Sequence, residues 1–252
     1  MTSDERETTH FGFKTVPIAD KAGKVAEVFT SVASRYDLMN DVMTLGTHRL
    51  VKLATVNKAR ARPGHNVLDL AGGTGDLAGL LAQRVGSDGQ VILADINAAM
   101  LQGGRSRLED EGKVGNINYV QADAECLPFA DSSFNAVTIA FGLRNVTRQD
   151  QALAAIHQTL KPGGRLVVLE FSHPPNPVVK DLYESINRFW PTMGRMIVGD
   201  ENPYTYLLES IKMHPDQETL AGMMQQAGYS KVRYENLLGG VLAIHEGQRA
   251  RS

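Results

Sequence analysis

Cysteine is almost missing from these 252 residues: Cys126 stands alone, so neither an intramolecular disulfide framework nor a cysteine-rich zinc site can form. A reducing cytosol fits that usage. Long apolar runs are missing too. None approaches the roughly 18 residues needed to cross a bilayer, and the start, Met1-Thr2-Ser3-Asp4-Glu5-Arg6-Glu7, is charged where a secretory leader is apolar. Neither sign of charge is in excess: 26 Lys and Arg stand against 28 Asp and Glu, a net of -2, which offers no basic face for a nucleic acid. The seven histidines show no ligand spacing. His157 lies beside an apolar helical stripe and His214 precedes Pro215 in a turn or cap, so no metal is expected.

What is present is an α/β grammar. A hydrophobic content of 42% with 21% charged residues suits one soluble domain over 1–252. Residues 1–18 carry few strand or helix signals and read as a tail that folds over a ligand site. Helices are predicted over Asp20–Ala33 and His48–Ala59, making 1–60 an N-terminal cap. Strands follow at Asn66–Leu70, Gln90–Asp95, Asn118–Gln121, Ala136–Phe141 and Arg165–Glu170. Between them lie helices at Asp76–Val85, Ala98–Glu111 with Asn97 as cap, and Gln149–Leu160, the last stopped by Lys161-Pro162-Gly163-Gly164. Strands apolar throughout and separated by helices predict a doubly wound, mostly parallel sheet. Residues 172–215 break the rhythm with Pro174, Pro175 and Pro177. A helix over Pro215–Ala227 and a hairpin of Lys231–Asn236 with Val241–His245 then add an antiparallel edge.

Chemistry concentrates where strands end. Asp69-Leu70-Ala71-Gly72-Gly73-Thr74-Gly75-Asp76 passes straight from strand to helix; Gly72, Gly73 and Gly75, with Thr74 between them, let a ligand approach the main chain. Asp69 can receive the amino end of a zwitterion. Asp95, closing the next strand, can accept both hydroxyls of a ribose. Asp123 can accept from the exocyclic amine of adenine, with the backbone near Ala124 along the ring edge. Gly73-Thr74-Gly75-Asp76-Leu77-Ala78 also satisfies the loose dinucleotide pattern, so NAD competes, as does a reading in which the glycines only permit a tight crossover. Asp69 and Asp123 tilt the balance toward a sulfonium nucleoside.

Several stretches together are more specific. Ser34-Arg35-Tyr36-Asp37-Leu38-Met39-Asn40-Asp41, the 69–76 turn, Phe141-Gly142-Leu143-Arg144-Asn145-Val146, Leu160-Lys161-Pro162-Gly163-Gly164, Glu170-Phe171-Ser172 with His173-Pro174, Tyr204-Thr205-Tyr206-Leu207 with Glu209-Ser210-Ile211, and Pro215-Asp216-Gln217 closely resemble the bacterial menaquinone/ubiquinone biosynthesis C-methyltransferase family. The resemblance runs nearly the whole chain in order. One departure is Ala140, where many relatives carry serine, so a hydroxyl contact to the cofactor there would be missing.

The resemblance implies a class I S-adenosylmethionine-dependent fold: Rossmann-like, seven-stranded, mostly parallel with one antiparallel edge strand, behind an N-terminal helical cap. It implies methyl transfer to a ring carbon of a polyprenylated quinol, demethylmenaquinol or 2-methoxy-6-polyprenyl-1,4-benzoquinol. Arg144 would then stabilise a developing quinolate or polarise a water, and Asn145 would orient the same oxygen. The competing reading has both satisfying carbonyls in a βα loop. Tyr36 would bond to or stack on the quinol, or serve the core instead; Asp37 or His173 would take the proton.

Residues 172–215, rich in Leu182, Tyr183, Ile186, Phe189, Trp190, Met193 and Met196, would cover the substrate and admit its isoprenoid tail, or simply pack as helices. So apolar a substrate implies transient peripheral contact with the inner face of the cytoplasmic membrane by a cytoplasmic protein. A homodimer is left open. Methylation of another small aromatic or lipid acceptor is the nearest alternative function, and a non-catalytic interaction module is the alternative of a different class.

Overall fold

The computed structural model describes residues 7–32, 48–187 and 202–251. Its centre is a seven-stranded sheet. Strands β3 (Asn66–Leu70), β4 (Gln90–Asp95), β5 (Ile117–Gln121), β6 (Phe134–Ala140) and β7 (Leu160–Phe171) run parallel, in the spatial order β5-β4-β3-β6-β7. The order reverses beside β3, so the loops after β3 and β6 leave the same edge side by side. The antiparallel edge is the terminal hairpin: β9 (Leu242–Gln248) runs against both β7 and β8 (Ser230–Leu237), and β8 lies outermost.

Period-two alternation explains the layers. Val67, Leu93, Ala136 and Val167 face one side, where they meet helices α2 (His48–Ala59), α3 (Asp76–Val85) and α4 (Ala98–Asp110). Leu68, Ala94, Val137 and Val168 face the other, packing on α5 (Gln149–Thr159) and α8 (Gln217–Gln226). Both faces are dry, as strands without polar alternation require. Asn97 caps α4 by accepting from the amides of Ala99 and Met100, and Asp216 caps α8 through Thr219 N, so that helix begins two residues later than its proline suggested.

Two expectations need correction. The segment read as a tail contains a hairpin, β1 (Thr8–Phe11) with β2 (Lys14–Pro17), leading directly into α1 (Ile18–Val32). Its tip is held from far away: Phe13 N donates to Glu209 Oε2 at 3.1 Å, and Gly12, at φ +59°, sits so close to Glu209 that a Cβ would collide. Lys161-Pro162-Gly163-Gly164 ends α5 as expected, but the chain is already in β7. Leu160 pairs with Phe134 and Arg165 with Ala136, so residues 161–164 bulge opposite Asn135. In the interval 172–215 the structure describes helices α6 (Pro177–Asn187) and α7 (Asn202–Met213). No described helix is long and apolar enough to cross a membrane.

Candidate active site

Where β3, β4, β5 and β6 end, a cavity of about 290 Å³ opens beneath α1. Its polar rim is acidic. Asp95, Asp123 and Glu125 line it, and no lysine or arginine does among the described residues. Much of the remaining wall is apolar, with Val25, Ala26 and Phe29 of α1, then Ile96, Met100 and Val146.

Asp95 is the best-placed acid. Its Oδ2 accepts from Gly73 N and its Oδ1 from Asn97 N, each at 2.9 Å, so one carboxylate ties the glycine turn to the end of β4 and keeps lone pairs for a ligand. Burial pushes its pKa up, opposed by these backbone donors. Asp123 accepts from Glu125 N at 2.9 Å, which closes the turn after β5 around Ala124. Glu125 then reaches across to accept from Thr147 N and Arg148 N, joining that turn to the loop after β6. Asn97 donates to Ala26 O and Thr30 Oγ1, pinning α1 over the cavity.

Of the expected site residues, Gly73, Asp95, Asp123, Ala124, Ala140 and Asn145 line this cavity. Tyr36 and Asp37 lie outside the described residues. Asp69 does not reach the cavity. It is buried under the turn, accepting from Thr138 Oγ1 at 2.8 Å, and burial raises its carboxyl to about 7. From there it braces the turn from below.

Gly72 and Gly75 answer packing demands. A Cβ on Gly72 would strike Leu93 and Asp69, and one on Gly75, at φ +81°, would come within 2.7 Å of Leu108 Cδ1. Thr74 contributes its carbonyl to Arg107 Nε at 3.1 Å.

Arg144 takes the loop-stabilising alternative. Its guanidinium is buried against Glu170 at 2.8 Å and donates to the carbonyl of Phe141. That carbonyl belongs to a residue forced to φ +57°, so the arginine clamps a strained turn at the wall of the cavity. Burial raises the pKa of Glu170 and Arg144 pulls it back. His173 is also elsewhere: its Nε2 meets His214 O at 2.9 Å, and its own carbonyl accepts from Gln217.

Asn145 carries the polar contact of this loop into the cavity. Tyr206 OH donates to its Oδ1 at 2.9 Å, a contribution from α7 that local sequence gave no reason to expect. Val25 and Phe29 were missed as lining residues; the α1 stripe was visible, but nothing local said what it covered.

The acidic rim bears on the choice of cofactor. A pyrophosphate is held by cations and amides, whereas ribose hydroxyls and an adenine amine need acceptors. Asp95 and Asp123 supply acceptors and no cation lines the cavity among the described residues, so the residues fit S-adenosylmethionine.

Comparison with known proteins agrees. The ubiquinone/menaquinone biosynthesis C-methyltransferase UbiE of Teredinibacter turnerae is 57% identical over 249 residues, 98% of this chain and 100% of that protein. The protein of the same name from Cellvibrio japonicus is 56% identical over 244 residues, covering 96% and 98%. Among solved structures, an S-adenosylmethionine-dependent methyltransferase from Aquifex aeolicus superposes with a TM-score of 0.58 at 14% identity, over 79% of this chain and 89% of that one. The [4+2]-cyclase SpnF superposes with a TM-score of 0.66 at 15% identity, over 92% and 97%. Those two likenesses establish the fold alone, and the cyclase shows how little the fold says about the reaction. A sequence model of the ubiE/COQ5 methyltransferase family matches residues 18–249, and the chain belongs to that family.

Proposed function

We propose that this chain transfers the methyl group of S-adenosylmethionine to a ring carbon of a polyprenylated quinol, converting demethylmenaquinol to menaquinol and 2-methoxy-6-polyprenyl-1,4-benzoquinol to its methylated product. The observation that carries this reading is identity of 53–57% with C-methyltransferases of that name over almost the whole chain. When bound, S-adenosylmethionine supplies a methyl group already activated by a sulfonium. The protein's task is to bind, align and keep water out.

In this reading Asp95 takes the ribose hydroxyls, and Asp123 with the backbone at Ala124 takes the adenine. Gly73 brings its main chain to the cavity, and Ala140 leaves a smooth wall. Asn145 presents its amide to the quinol oxygen. Arg144 acts at one remove, holding the Phe141 turn against Glu170. Tyr36 and Asp37 are assigned to the quinol, with Asp37 as proton acceptor. His173 does not line the cavity, so this reading gives the role to Asp37 alone.

The tail of such a substrate lies in a bilayer, so the enzyme needs an apolar approach surface. Helix α6 exposes Val178, Leu182 and Ile186, 75%, 61% and 47% accessible, at four-residue spacing. We assign transient membrane contact to this stripe, and the covering of the substrate to α6 and α7. Sedimentation with liposomes should carry down the wild type and leave Leu182→Glu in the supernatant; equal sedimentation of both would reject this face.

The reaction is tested by anaerobic incubation with methyl-labelled cofactor and each reduced quinol, followed by mass analysis. Label on a ring carbon supports the proposal. Label on oxygen or nitrogen, or none in either product, rejects it.

A further inference from the structure

Helix α7 and the amino-terminal hairpin meet at one aromatic contact. Phe11 of β1 stacks on Tyr206 of α7 with ring centroids 4.4 Å apart and planes at 23°. The two elements are joined a second time by Phe13 N and Glu209 Oε2. Tyr206 is 6% exposed, and its hydroxyl ends on Asn145, the residue that lines the cofactor cavity from the loop after β6.

An asparagine amide has two ends that differ in sign, and its own loop restrains only weakly which end faces a substrate. Asn145 Nδ2 lies 3.4 Å from Phe141 O, a weak restraint on a carbonyl already claimed by Arg144. The tyrosine hydroxyl supplies the missing restraint. Burial, ahead of the smaller influences of Arg144 and Glu170, pushes its pKa up to about 12, so it stays a donor at any working pH. A donor on Oδ1 leaves Nδ2 with hydrogen to offer. The flipped amide would set Oδ1 against the Phe141 carbonyl and strand the phenolic proton in a buried place.

We propose that Tyr206 is a positioning residue. Braced by Phe11, it fixes the sense of the Asn145 amide so that the N–H end faces the substrate oxygen. The proposal rests on the quinol reading of Asn145 and deepens it: specificity for an oxygen that gains negative charge comes from an amide whose orientation is set by an element 61 residues further along the chain. The hairpin acts as the backing of that tyrosine.

Tyr206→Phe removes one hydroxyl and keeps the stack, so it separates orientation from packing. The quantities to measure are kcat and KM for the quinol and the Kd for S-adenosylhomocysteine, in the wild type, Tyr206→Phe, Asn145→Ala and the double variant. We expect Tyr206→Phe to lower kcat about tenfold, the loss of one hydrogen bond, with the cofactor Kd unchanged. We expect no further loss when it is added to Asn145→Ala. Phe11→Ala should lower kcat by a smaller factor, restored by Phe11→Trp.

Wild-type kcat in Tyr206→Phe beside an impaired Asn145→Ala would overturn the positioning role alone. A loss equally large in the Asn145→Ala background would show that Tyr206 acts by another route, and would likewise overturn it. Full turnover by Asn145→Ala would remove the substrate role of Asn145 and the proposal together.

Discussion

Two crossover loops stand side by side at the edge of the sheet, and they are built by different means. The turn after β3 is tied to itself and to the adjoining strand β4: Gly75 N bonds to Gly72 O at 2.8 Å, Gly72 N to Ala94 O, and Gly73 N to Asp95. The loop after β6 is held from a distance, by Glu170 on β7, Tyr206 on α7 and Glu125 after β5. Both begin with a non-glycine residue in the left-handed region, Ala71 at φ +51° and Phe141 at φ +57°. They touch directly, since a Cβ on Gly142 would lie 2.5 Å from that of Ala71. The cofactor turn therefore leans on the one strand beside it, whereas the loop proposed to meet substrate leans on β7, α7 and the turn after β5.

The sharpest way to break the contrast is Arg144→Ala. It leaves Glu170 buried and unpaired, and the unfolding free energy measured in denaturant should fall by about 3–5 kcal/mol. Glu170→Gln in the same chain should recover part of that loss, which a simple packing defect would not allow.

Next comes Asp69, whose folded carboxyl stands at about 7 against 3.8. Because the acid is raised, its contribution to stability is complete below pH 4 and is lost as pH climbs toward and through 7. The difference has a ceiling of about 4 kcal/mol. Asp69→Asn should therefore gain on the wild type in thermal melts as pH rises from 4 to 8; parallel curves would show that Asp69 is ionised throughout.

Asp95→Ala removes the acceptor shared by the turn and the proposed ribose. Calorimetry should show S-adenosylmethionine binding weakened by about ten- to hundredfold, with the fold retained. A comparable effect, about 1–3 kcal/mol of stability, is expected from Gly142→Ala, because the two loops can shift apart in part. If it costs nothing, they are not packed as tightly as their Cβ positions indicate.

Legibility follows the same division. Strands β3, β4 and β6 and helices α3 to α5 announce themselves through apolar runs, glycine turns and the Asn97 cap, all local signals. The amino-terminal hairpin does not: each strand has four residues, and the contacts that steady its tip come from Glu209 and Tyr206. In the site, Asp95, Asp123 and Gly73 were legible because strand-end acids follow from the topology. Arg144 and His173 stand apart from the cavity lining because Glu170 and His214, 26 and 41 residues away, engage them. A charged side chain beside a candidate cavity looks the same in sequence whether it faces a ligand or a buried counterion.

Strand β9 has a consequence for biosynthesis. Among the described strands it comes last in chain order, yet it occupies an interior lane, with β7 on one side and β8 on the other. Until Leu242–Gln248 emerges, β7 shows a bare hydrogen-bonding edge, and Lys58 and Arg233 lack the carboxylate of Glu246 that they share. A nascent chain halted before Leu242 would carry nearly all the site residues on an unclosed sheet, open to capture by a chaperone or by another unfinished copy.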